Sequence, residues 1–233
     1  MSTWEIVKSS LPELIQAALI YTIPIAIVSF IIGLALGLLT ALVRLSKQGG
    51  WFLIIKGIFR FYVWLFRSTP LLVQLFIVFF GLPYLRIAGV LPEGIKLTPV
   101  VAGILTFSLN TGAYASETIR GAIQSIPSGQ WEAAYSLGMT KRKVLWRIIL
   151  PQASRVSLPP LSNEFIGLVK DTSLAASITI VEVFEVSQQI AAQNYQPLVM
   201  YILAALIYAV ICSVLTILQG YLEKRVSKYS IKE

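Results

Sequence analysis

The chain has no histidine among its 233 residues, a single cysteine, and little charge. Without histidine there is no His-ligated metal site and no His-based catalytic triad. Cys212 stands alone in an apolar run, so no intrachain disulfide can form. Charged residues make up 13%, where a soluble domain carries about 25%. Hydrophobic residues make up 56%. Such a chain has too little polar surface to cover itself in water, whereas a bilayer accepts an apolar exterior. The sequence also lacks GxxxxGK[ST], so it has no phosphate-binding loop of its own. It shows no internal repeat, no low-complexity tract and no composition shift that would mark a second domain. Residues 1–233 are therefore read as one domain.

What is present is a series of long uncharged runs. A membrane helix needs roughly 20 mostly apolar residues. Residues 14–43, 68–85 and 97–116 carry no charge and are read as the first three spans. Residues 156–181 form a fourth, interrupted by Glu164, Lys170 and Asp171. In the uncharged stretch 186–222 the first part is too polar to face lipid, which places a fifth span at about 198–219. Residues 1–13 carry Glu5, Lys8 and Glu13, and the run that follows is too long for a signal peptide. The expected fold class is all-α, a polytopic membrane protein with five transmembrane helices. Gly33 and Gly37 form a small-xxx-small pair in the first span, which permits close helix approach.

Orientation follows from lysine and arginine. Arg44, Lys47, Lys56, Arg60 and Arg67 lie between spans one and two. Arg120, Lys141, Arg142, Lys143, Arg147 and Arg155 lie between three and four; Lys224, Arg225, Lys228 and Lys232 follow five. The opposite side holds Lys8, Arg86 and Lys96. This bias predicts N-out and C-in. The net charge of +8 thus sits in loops between apolar runs, a pattern that fits a lipid bilayer and not nucleic acid.

The loop at about 122–155 is the most informative segment. Residues 130–137 are good helix formers; Gly138 suits a left-handed C-terminal cap and Thr140 a cap for the next helix. Pro151 is expected to break or redirect that second helix. A short exposed helix with small residues, held between two spans, is shaped to dock in a groove of another protein.

Glu132-Ala133-Ala134, three residues, Gly138, nine residues, then Ile148-x-Leu150-Pro151 resembles the EAA loop of bacterial ABC importer permeases. Phe66-Arg67-Ser68-Thr69-Pro70-Leu71-Leu72-Val73-Gln74 resembles the FRGTP-LLVQ signature of the polar amino acid subfamily, with Ser68 where glycine is usual. Residues 108–117, 158–166 and 169–176 match as well, and 155–176 looks most like L-cystine permeases, with Glu164 where a smaller residue is usual. The resemblance implies the type I ABC importer permease fold and transport of a polar amino acid, with L-cystine as one candidate. In the family the loop is a coupling helix, so Glu132, Ala133, Ala134, Leu137 and Gly138 would contact an ATP-binding cassette subunit. The implied partners are that ATPase, which would use ATP and Mg, an extracellular or periplasmic substrate-binding protein, and a second permease, identical or homologous. This chain would bind no cofactor and catalyse no reaction. Another small solute, or a nucleotide-independent channel or scaffold, is the alternative reading.

Depth ranks the candidate substrate residues. Entering from residue 97, Asn110 lies roughly 20 Å in, near the midplane. Tyr114 and Glu117 follow at i+4 and i+7 on the same face. Glu164 lies about 12 Å and Asp171 about 22 Å from residue 156, also sharing a face. Asn110, Glu164 and Asp171 form the first choice for a polar pocket, where a carboxylate would pair with a substrate ammonium; Thr172 belongs to the same stretch. Glu164 can equally serve in an ion pair with a neighbouring helix, and Asn110 as interhelical glue. Asp171 can neutralise Lys170. Glu117 can pair with Arg120 at i+3. Pro159 and Pro160 predict an irregular start to the fourth span beside the substrate path.

Overall fold

The computed structural model describes residues 3–46, 49–85 and 94–227. Apart from connecting segments these residues are helical, with no strand among them. The first helix, α1 (Thr3–Leu45), runs unbroken for 43 residues. At about 1.5 Å per residue it is far longer than a bilayer core is thick. Then come α2 (Phe52–Ser68), α3 (Leu71–Tyr84), α4 (Pro99–Gln124) and the short α5 (Ser128–Ser136). They are followed by α6 (141–171), α7 (Val183–Asn194) and α8 (Pro197–Ser227).

Three π-helical turns interrupt this helical chain, and each ends two residues before a proline. Ala18–Thr22 precedes Pro24, Ile77–Gly81 precedes Pro83, and Leu145–Ile149 precedes Pro151. A proline ring clashes with the carbonyl four residues back, here Ile20, Phe79 and Arg147. Each of those carbonyls lies inside the π turn, whose wider winding relieves the clash. This corrects the expectation at Pro151: the helix passes through it. Pro159 and Pro160 likewise lie inside the regular helix Leu150–Asp171, so the expected irregular start is absent. Their fixed φ is itself helical, and the lost bonds are those toward the carbonyls of Arg155 and Val156.

Close packing of α1 on α4 is the central joint. A Cβ added at Gly33 would stand 2.8 Å from Cβ of Thr111, and one at Gly37 would stand 2.9 Å from Cβ of Ala115. Both are shorter than side chains tolerate, so the two glycines permit the observed approach. Three apolar clusters follow one another along α1. Ile6 and Leu14 pack with Val183 and Met200; Ile25 packs with Leu75, Phe107 and Leu168; Ala41 packs with Ile119, Val144 and Ile149.

Two helices, Thr3–Leu45 and Pro197–Val226, are long and apolar enough to cross a membrane by composition alone. A third candidate is the pair Phe52–Ser68 and Leu71–Tyr84, bent by 113° at residues 69–70. The stretch 52–68, expected as part of a loop, is therefore helical, and the run 68–85 begins at a sharp corner. With 26 residues, α4 is long enough to span, but it carries many polar side chains. Thr106, Ser108, Thr111 and Ser116 are buried, so its polar face is turned into the protein. Large apolar residues instead cover the outside: Leu206, Val210, Val214 and Ile217 on α8, and Ile54, Ile58, Phe61 and Trp64 on α2, are exposed. That inversion of the soluble pattern suits lipid.

Candidate substrate cavity and coupling helix

The corner between α2 and α3 is built by Pro70 and closed by Gln74. Thr69 is extended, as the residue before a proline prefers to be. The carbonyls at the end of α2 lose their helical partners there. Side chains replace them: Thr69 Oγ1 donates to Leu65 O at 2.8 Å, and Gln74 Nε2 shares its hydrogens among Phe66 O (2.9 Å), Thr69 O (3.0 Å) and Thr69 Oγ1 (2.9 Å). From α4, Asn110 Nδ2 donates to Gln74 Oε1 at 2.9 Å. Tyr62 Oη donates to Leu109 O at 2.6 Å and fixes α2 against the same turn of α4.

This corner forms one wall of a cavity of about 340 Å³, lined by Thr69, Pro70, Leu71, Asn110, Thr111, Tyr114, Glu164, Gly167, Leu168 and Asp171. Four of the six expected pathway residues thus line one space: Asn110 and Tyr114 from α4, Glu164 and Asp171 from α6. Glu164 Oε1 accepts from Thr118 Oγ1 at 2.6 Å, while its buried Oε2 has no hydrogen-bond partner among the described residues. A buried carboxylate oxygen without a donor is costly. The guanidinium of Arg67 lies 5.4 Å from the ring centroid of Tyr114 and is not among the residues that line the cavity. The lining itself carries two carboxylates and the Asn110 amide, which suits a ligand with an ammonium group.

The other two expected residues lie elsewhere. Thr172 is fully buried and its hydroxyl donates to Val169 O at 2.7 Å; it is absent from the lining. Thr172 follows Asp171 directly, about 100° further around the helix, so it lies off the seven-residue face that joins Glu164 to Asp171; there the α-helix ends and a 3-10 segment, Thr172–Ile178, begins. Glu117 is held between two arginines. Arg120 Nη2 and Nε donate to its Oε2 at 2.6 and 2.9 Å, and Arg44 of α1 donates to its Oε1. Lys170 lines a different space of about 470 Å³ with Phe184, Tyr201 and Tyr208.

Sequence reasoning placed none of Arg67, Thr69, Pro70 and Gln74 at the site, although all four stand inside the 66–74 motif. It also passed over Glu182, which is fully buried. This carboxylate caps α7, accepting from Phe184 N and Glu185 N at 2.8 Å each, and Tyr208 of α8 donates its hydroxyl to it. Val183 N donates to Thr22 Oγ1 at 3.4 Å, tying the start of α7 to the π turn of α1.

At the far end of the bundle, α5 lies against the third cluster through Ala134, which is buried, while Glu132, Ala133 and Leu137 are exposed. Gly138 has φ +72°, a left-handed conformation. Gly138 N donates to Tyr135 O at 2.9 Å and Met139 N to Ala134 O at 3.2 Å, the paired bonds of a Schellman cap. Thr140 occupies the cap position of the next helix, but its side chain makes no capping bond there.

The family model of the binding-protein-dependent transport system inner membrane component matches residues 33–228. The chain belongs to that family. It is similar to the L-cystine transport system permease protein TcyB of Bacillus subtilis (strain 168), with 48% identity over 98% of this chain and 93% of that protein. It is also similar to the probable amino-acid ABC transporter permease protein YckA of the same organism, with 41% identity over 90% of this chain and 87% of the other. Among solved structures, a crystal structure of an amino acid ABC transporter with histidines aligns at a TM-score of 0.85 and 31% identity. That alignment covers 97% of this chain and 99% of the other. Membership in an inner-membrane family accounts for the apolar exterior of α2 and α8. The all-helical architecture is that of an ABC permease.

Proposed function

We propose that this chain is the permease subunit of an ATP-driven importer of polar amino acids, with L-cystine the first substrate to test. The single observation that carries the reading is the cavity between α4 and α6. It is lined by two carboxylates, the Asn110 amide and Tyr114, and the similar proteins named above are amino acid and L-cystine permeases. Asn110, Tyr114, Glu164 and Asp171 are assigned to the substrate path. Glu117 and Thr172 stay with the supporting structure.

Residues 1–233 act as one permease domain with five crossings, N-out and C-in, the bent pair α2–α3 supplying one of them. The lysine and arginine bias supports this topology. Glu132, Ala133, Ala134, Leu137 and Gly138 form the coupling surface within the loop at about 122–155. A separate ATP-binding cassette subunit sits there and uses ATP and Mg; this chain binds no cofactor. A substrate-binding protein delivers the amino acid from outside, and a second permease, identical or homologous, completes the pathway.

Uptake in proteoliposomes containing this chain, its ATPase and its binding protein checks the reading. ATP-dependent accumulation of labelled cystine, reduced by excess unlabelled cystine, is expected. Failure to take up any polar amino acid by an intact assembled complex would refute it. Topology is checked separately with a variant lacking Cys212: a cysteine placed at Ser136 should resist labelling from outside intact cells.

A further inference from the structure

The largest cavity among those described lies away from the substrate path. It has a volume of about 890 Å³ and opens between the end of α1, the end of α4 and the EAA segment. That volume lies within the range of small-molecule sites, roughly 300–1,000 Å³. Its two halves differ in chemistry. Leu42 and Leu45 of α1, Ile123 of α4, Ile126 just after it and Leu145 supply its apolar lining; the exposed Lys141 and Arg142, with Ser46, Gln124 and Ser128, supply the polar one.

Two aromatic residues, Trp131 and Tyr135, also line the space. Such side chains favour the boundary between hydrocarbon and headgroups. Among the described residues no carboxylate lines the space. Lys141 and Arg142 make no ion pair among the described residues. Arg142 also borders an adjoining groove with Lys143, Trp146 and Arg147, so the polar side continues as a basic surface.

An apolar lining beside exposed cations, at the ends of two membrane helices, fits one kind of molecule. We propose that this cavity binds an anionic phospholipid, its phosphodiester held by Lys141 and Arg142 and an acyl chain lying on Leu42, Leu45, Ile123 and Leu145. Basic pockets between helices at the cytoplasmic boundary take such headgroups. A purely apolar partner would leave two cations without counter-charge, and a free phosphate would leave the apolar lining bare. The occupied site would brace the EAA segment against α1 and α4, since Trp131 and Tyr135 belong to α5. The inference rests on the chain lying in a bilayer and not on the identity of its substrate.

Native mass spectrometry of the full chain in detergent tests it, with phosphatidylglycerol and phosphatidylcholine of identical acyl chains as probes. Retention of phosphatidylglycerol over phosphatidylcholine is expected. A Lys141→Gln/Arg142→Gln variant should lose about 30-fold in affinity, near fivefold for each charge. A Lys224→Gln/Arg225→Gln variant, which removes the same charge elsewhere, should bind like the parent. Glycerol phosphate, a headgroup without chains, should fail to displace the lipid. Equal retention of the two lipids would overturn the proposal, as would displacement by glycerol phosphate. An equal loss in the control variant would reduce the effect to general charge and overturn it too. Unchanged lipid retention in the Lys141/Arg142 variant, with loss of the co-purifying ATPase subunit, would make this pair a protein contact instead.

Discussion

Asn110 on α4 donates its amide to Gln74 on α3 at 2.9 Å, and Gln74 closes the 113° corner by binding the free carbonyls of Phe66 and Thr69. Asn110, expected near mid-depth, is thus bonded to protein as well as lining the cavity. Asn110→Ala should leave Gln74 Oε1 without its donor and cost about 1 kcal/mol. The loss would appear as a lower Tm in detergent. Because the corner shapes the cavity for every substrate, uptake of all amino acids should fall together. A normal Tm with loss of only one substrate would place Asn110 in direct recognition instead.

Glu164 differs, because one of its carboxylate oxygens is buried without a partner among the described residues. Glu164→Gln keeps size and the bond from Thr118 but removes the charge. Substrates with an added cationic group should lose about 1.5–3 kcal/mol, roughly 10- to 150-fold in affinity, with neutral ones affected less. Competition uptake with arginine, glutamine and cystine reads the difference. An unchanged order of preference at normal expression would make Glu164 structural.

Glu117 joins α1 to α4 through Arg44 and also holds Arg120. Glu117→Gln should cost about 2 kcal/mol, because the two arginines lose the anion between them. Glu117→Arg should be worse, gathering three cations. Arg44→Glu combined with Glu117→Arg should recover part of the loss by restoring one opposite pair. Thermal unfolding of the single and double variants checks this, and additive losses would rule out a direct pair.

Gly138 ends α5 at φ +72°. Proline cannot adopt a positive φ and cannot donate the observed bond to Tyr135 O. Gly138→Pro should disrupt the turn, and Gly138→Ala should cost about 1–2 kcal/mol of local strain. Glu132→Lys leaves the turn intact and reverses a charge on the exposed face. Both Gly138→Pro and Glu132→Lys are expected to reduce substrate-stimulated ATP hydrolysis by the assembled complex. Normal assembly and stimulation in both would remove the docking role from this segment.

The features written in local sequence are those that one helix decides for itself. Low charge and long apolar runs determined an all-helical membrane protein, and Gly138 determined the left-handed turn, because only glycine enters that conformation freely. The glycine pair at Gly33 and Gly37 marked a tight helix contact without naming its partner. Spacing on α4 and on α6 put Asn110 with Tyr114 and Glu164 with Asp171, since each pair shares a face of one helix. Tertiary structure decided what met across helices: Thr111 and Ala115 against the glycines, Arg44 against Glu117, and Gln74 against Asn110. It also buried Thr172 away from the cavity, with its hydroxyl on Val169 O. The helices pass unbroken through Pro151, Pro159 and Pro160: a π turn relieves the clash before Pro151, and at the other two the fixed φ of proline is itself helical. A sequence period carries the order of side chains around one axis; the distance and angle between axes come only from how the helices pack.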